Sequence, residues 1–137
     1  MLVINTRIMD KFYIKGTAET PTVSFDSTGN TFEISGKSLP EDVKEFYHPI
    51  IKWLTEYCQS PNDTTTLKVR MEYFNTASSK MILELFELLN KLHLSGRNAA
   101  IEWYYQEDDE DMMDAGNDYA DMLDLPFKIF GYQTLLK

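Results

Sequence analysis

The densest grouping of reactive side chains lies at Asn75-Thr76-Ala77-Ser78-Ser79-Lys80. Hydroxyls at Thr76, Ser78 and Ser79 stand between an amide and an ammonium group. A hydroxyl in such a place can do two things. It can cap a helix by accepting a backbone N–H, which contributes ~1 kcal/mol. It can also accept a phosphoryl group, whose charge a helix N-terminus and a nearby lysine would favour. A cap needs one hydroxyl, and this stretch supplies three. Composition and spacing leave both readings open, with the cap the simpler; a cap alone would make the chain a constitutive protein-binding scaffold.

A second candidate is the acidic run Glu107-Asp108-Asp109-Glu110-Asp111, followed by Asp114, Asp118 and Asp121. Carboxylates can hold Mg²⁺ or Ca²⁺. The spacing and central glycine of an EF-hand are missing, and carboxylates at a helix start are favoured by the dipole. A solvated helix start is the expected role, with an acidic docking face and a small metal-dependent enzyme as alternatives. His48 and His93 fall on different predicted helices, without a nucleophile motif or an HExxH pattern. Cys58, the one cysteine, lies on an apolar helical stripe and reads as core. It permits no internal disulfide and suits a reducing, cytoplasmic setting. Trp53 and Trp103 read as core or interface, since no basic groove accompanies them.

These groups must be positioned by an alternation of strands and helices. Thr22–Asp26 and Thr31–Ser35 flank Ser27-Thr28-Gly29-Asn30 and predict a hairpin. Ser38, Pro40 and Glu41 have the spacing of a capping box. A helix follows, with Val43, Phe46, Tyr47, Ile50, Ile51, Leu54, Tyr57 and Cys58 at helical spacing and a kink or restart expected at Pro49. Leu67–Phe74 predicts a strand and Ser79–Leu94 a helix ending at Ser95-Gly96. Ala99–Tyr105 predicts a strand. Glu110–Leu123 predicts a helix with Met112, Ala115, Gly116, Tyr119, Met122 and Leu123 inward. Phe127–Tyr132 is the last predicted strand. Such alternation implies parallel strands joined by right-handed crossovers, with the hairpin adding antiparallel ones. The expected fold is α/β: a mixed sheet packed with about three helices. One domain is expected over residues 20–132, with an N-terminal extension, 1–19, and a tail, 133–137. Ile4, Ile8, Phe12 and Ile14 leave that extension open between a short strand, an arm and a leader.

The formal net charge of −9 argues against nucleic acid and against anionic membrane surfaces. The start, MLVINTRIMDKFYIKG, lacks the pattern of a signal peptide, and no apolar run approaches the ~20 residues of a membrane span.

The motifs SGKSLPED, EYFNTASSK, WYYQEDDEDM and the closing LPF occur in this order between about Thr20 and Ile129. Together they resemble the SiaC family of bacterial regulatory phosphoproteins. The resemblance implies a fold like that of STAS domains, the anti-sigma-factor-antagonist class, and no catalysis; no metal or cofactor is expected. It implies reversible phosphorylation of the threonine of FNTASS, here Thr76. A kinase with a histidine-kinase-like ATPase fold would add the phosphate and a PP2C-type phosphatase would remove it. The unphosphorylated form would bind and regulate an effector such as a diguanylate cyclase. Tyr73, Asn75, Ser78, Ser79 and Lys80 would then form the rim of the contact.

Overall fold

The computed structural model describes residues 9–133. Six strands form one sheet in chain order: β1 (Phe12–Ile14), β2 (Thr22–Asp26), β3 (Thr31–Ser38), β4 (Thr64–Phe74), β5 (Asn98–Gln106) and β6 (Phe127–Tyr132). Strands β1 to β3 pair antiparallel, and β3 to β6 pair parallel. The parallel strands are joined by α1 (Val43–Tyr57), α2 (Thr76–Leu94) and α3 (Glu110–Met122). Each crossover steps the same way along the sheet. With one hand of crossover, all three helices cover the same face.

Alternation along the strands explains the burial. Val23, Phe25, Phe32, Ile34, Leu67, Val69, Ile101 and Trp103 point under the helices and are buried. Their neighbours Glu33, Lys68 and Arg70 are exposed on the other face. Two aromatic groups anchor the core. Trp53 stacks on Tyr57 at 5.5 Å and lies 5.5 Å from Phe25. Trp103 meets Phe74 edge-on at 6.0 Å and Tyr119 at 5.5 Å.

The hairpin, the three helices and the last three strands lie where the residue pattern predicts them. Several details differ. β1 falls within the stretch expected as an extension and is the edge strand of the sheet, beside β2. Ile4, Ile8 and the end of the tail lie outside the described residues. Asp42, not Ser38, caps α1, its carboxylate accepting from Glu45 N at 3.1 Å. Ser38 is instead the last residue of β3, paired with Phe74. α1 runs through Pro49 as one helix, without a restart; Pro49 sits on its exposed side. Met122 is 56% exposed rather than inward, at the last residue of α3. In the β2–β3 turn the positive φ falls on Asn30, at 52°.

Candidate phosphorylation site at the start of the second helix

The site forms where β4 hands over to α2. The strand ends through an irregularity. Gly36 pairs with Met71, but Lys37 pairs with Tyr73, so Glu72 is an extra residue in β4. Strict alternation after Val69 and Met71 would turn Tyr73 inward. The bulge reverses this: Phe74 packs on Trp103 and Tyr119, while Tyr73 is 52% exposed.

Asn75 then caps α2. Its backbone is extended (φ −83°, ψ 172°), and its Oδ1 accepts from Ser78 N at 2.9 Å. Its carbonyl accepts from Ser79 N at 3.0 Å, and its own N–H donates to Ser38 O at 3.0 Å. Thr76 is therefore the first helical residue and not the cap. This removes the simpler reading of its hydroxyl.

The three hydroxyls have different surroundings. Ser78 is fully buried, and its Oγ accepts from Ser38 Oγ at 2.8 Å. Ser38 Oγ lies 2.6 Å from the Tyr47 hydroxyl. These groups tie β3, α1 and α2 together beneath the junction, and burial raises the pKa of Tyr47. Ser79 is half-buried, and its Oγ donates to Thr76 O at 2.7 Å. The Tyr119 hydroxyl, its pKa also raised by burial, donates to Ser79 O at 2.8 Å. Thr76 alone of the three is exposed. Its hydroxyl has no hydrogen-bond partner among the described residues.

The electrostatics of this helix end are also distinct. α1 and α3 carry carboxylates in their first turns, Glu45 in one and Glu110 and Asp111 in the other; α2 carries none. The Asn75 cap is neutral, so the positive end of the α2 dipole meets no carboxylate in its first turn, with exposed Lys80 one turn along. Lys80 also lines a groove of about 270 Å³ between α2 and α3, walled by Phe74, Leu83, Ala115 and Met122.

The structure therefore brings Asn75, Thr76, Ser79 and Lys80 to one accessible edge. Tyr73 stands beside them on the far side of the strand end. Ser78 is withdrawn from the expected rim into the support beneath it. Residue spacing did not point to Ser38, Tyr47 and Tyr119 as that support, because all three are brought there by long-range pairing.

The other candidates separate. Asp109 caps α3, accepting from Met112 N at 3.0 Å, and Glu110 and Asp111 fill its first turn. Among the described residues no three His, Cys, Asp or Glu side chains are grouped to hold a metal ion. His48 is exposed, and His93 lies in the last turn of α2. Burial pushes the Cys58 thiol up to about 11, which suits packing rather than nucleophilic chemistry. No helix among the described residues is long and apolar enough to cross a membrane.

Comparison with known proteins finds relatives of this fold. An uncharacterised protein of Pseudomonas aeruginosa strain UCBPP-PA14 is 26% identical over 121 residues, spanning 88% of this chain and 96% of its own. The crystal structure of apo-SiaC from P. aeruginosa superposes with a TM-score of 0.83 at 26% identity, covering 90% of this chain and 100% of that one. The structure of the diguanylate cyclase SiaD in complex with its activator SiaC, from the same organism, matches with a TM-score of 0.84 at 26% identity over 88% of this chain and 99% of that one. Residues 14–132 match the model of the SiaC family regulatory phosphoproteins, and the chain belongs to that family.

Proposed function

We propose that this protein is a non-catalytic switch whose state is set by phosphorylation of Thr76. The observation that carries the reading is the contrast among the junction hydroxyls: Thr76 is exposed and unengaged, Ser78 is buried, and Ser79 is bonded to the helix backbone. A serine/threonine kinase with a histidine-kinase-like ATPase fold adds the phosphate, and a PP2C-type phosphatase removes it. The bare form binds and regulates an effector, a diguanylate cyclase; the complex of the diguanylate cyclase SiaD with its activator SiaC in P. aeruginosa supports that choice of effector. The setting is the cytoplasm.

The switch works through charge. A phosphoryl group adds about −1.5 to −2 charges at neutral pH. At the start of α2 it is stabilised within the protein by the dipole and by Lys80. The same charge is costly beneath a docked partner, where it would be desolvated against a surface shaped for a hydroxyl. Asn75, Ser79, Lys80 and Tyr73 form the contact rim, and Ser78 holds it from below. The fold need not change.

The test is intact-mass and peptide mass spectrometry after incubation with the kinase and ATP, with effector binding measured on both forms. A single adduct on Thr76 and weaker binding of the modified form are expected. Phosphate mapping to Ser79, or equal binding of both forms, would overturn the reading.

A further inference from the structure

The sheet face away from the helices carries two adjoining cavities that the Thr76 reading does not use. The larger, about 620 Å³, lies between the Gly16–Thr20 loop and Tyr132. The smaller, about 320 Å³, lies among Glu33, Lys68, Tyr104 and Tyr132. Ser35, Arg70 and Tyr132 line both, so the two form one trough with Arg70 at its joint.

Three features mark the trough as built. Its backbone is specialised: Gly36 has φ +109°, the extra residue Glu72 opens into it, and a Cβ on Gly16 would stand 2.5 Å from Thr22 Oγ1. Its loop wall is fixed by Gly16 N donating to Thr22 Oγ1 at 3.0 Å and Leu39 N to Glu19 O at 2.8 Å. Its cations are unspent. Arg70 has no carboxylate partner among the described residues, although Glu33 and Glu72 line the same trough. Its guanidinium instead lies over the Tyr132 ring, 5.9 Å from the centroid.

We propose that this trough binds a guanine nucleotide. The smaller cavity is walled by the Tyr104 ring, which already stacks on Phe130 at 5.1 Å and can extend that stack to a planar base, while Tyr132 lies under the Arg70 guanidinium. A guanidinium fork matches the O6 and N7 acceptors of guanine, and it does not match the N6 amino group of adenine. The Glu33 carboxylate on the adjacent strand suits the N1–H and N2 donors of guanine. In the larger cavity, Lys37 meets the phosphate, and Glu72 with the Ser35 and Thr22 hydroxyls meets the ribose. The net charge of −9 does not prevent this, because charges farther than about 8 Å are largely screened at physiological salt. The site is independent of Thr76 and lies on another face.

Isothermal titration calorimetry and thermal melting with GMP, AMP and inorganic phosphate test it on the full chain. GMP is expected to bind saturably and raise the melting temperature. AMP should bind at least about tenfold more weakly, since a bidentate arginine contact discriminates bases by that order. Arg70→Ala should abolish the GMP response. Glu33→Gln should narrow the preference for GMP over AMP, and it keeps the proposal testable if Arg70→Ala fails to fold. No GMP response at millimolar concentration, an equal response to AMP, or full reproduction of the response by phosphate would each overturn the proposal.

Discussion

The junction residues divide between holding the helix and presenting a hydroxyl, and single substitutions separate the two jobs. Asn75 Oδ1 is the cap, so Asn75→Ala should cost about 1 kcal/mol in urea denaturation. Thr76 is exposed, and Thr76→Ala should leave stability within about 0.5 kcal/mol while abolishing phosphate uptake. The reverse ranking of the two stabilities would return the cap to Thr76. Beneath them, Ser38 Oγ sits between Tyr47 and Ser78 with all three buried. Ser38→Ala strips both partners of a bond in a place water does not reach, and should cost about 1–3 kcal/mol per group left unsatisfied. The Tyr47 hydroxyl stays protonated through this change, since burial already raises its pKa. A loss below about 0.5 kcal/mol for Ser38→Ala would mean that the relay is not what fixes the start of α2.

At the scale of elements, the packing of α3 on β5 sets the most exacting contact. Gly116 is buried in α3, and a Cβ there would lie 2.6 Å from Cδ1 of Trp103, whose indole N–H donates to Met112 O at 3.0 Å. The indole is thus fixed from the same helix that would be pushed away. Gly116→Ala should destabilise by about 1–3 kcal/mol despite its better helix propensity. Equal or greater stability in chemical denaturation would show that α3 can shift outward freely. This contact also shows what a sequence can reveal. Periodicity put Gly116 on the inward face of α3, with Met112 and Tyr119, because repeating burial leaves a repeating signal. It did not reveal that Gly116 is there to admit an indole. Ser38 shows the opposite failure. Its spacing to Glu41 matches a capping box, yet long-range pairing with Phe74 extends β3 through it, and Asp42 takes the cap. The bulge at Glu72 was equally hidden, since one extra residue leaves too little pattern, whereas the edge strand β1 is the short strand that Phe12 and Ile14 left open beside an arm and a leader. The candidate phosphoacceptor was visible as a cluster of hydroxyls. The exposure that singles out Thr76 required the three-dimensional structure.

For the whole molecule, the one-sided sheet gathers groups that resist ionisation under the helices. Cys58 packs against the core with its thiol pushed from 9.0 to about 11, and Tyr47, Tyr57 and Tyr119 are all raised from 10.0, with burial the leading cause in each. A group whose folded pKa is raised keeps its proton more tightly in the folded state. Its stabilising contribution is complete below the unfolded pKa and is lost as pH rises towards the folded one. For Cys58 that window runs from about pH 9 to 11, and the tyrosines extend it above pH 10. The thiol is partly exposed, so its share is on the order of 1 kcal/mol after solvent screening is allowed for. Stability measured by urea denaturation should be flat from pH 7 to 8.5 and fall steadily above pH 9. Lysine deprotonation adds to the decline by deepening the net charge of −9 and its self-repulsion. Cys58→Ala separates the two causes. The variant should lose less stability than the parent between about pH 9 and 11, and follow it in parallel above that as lysines and tyrosines titrate. Superimposable pH profiles for the two proteins would show that self-repulsion alone drives the alkaline limb. A parent stable through pH 11 would show that water reaches the aromatic core on ionisation at little cost.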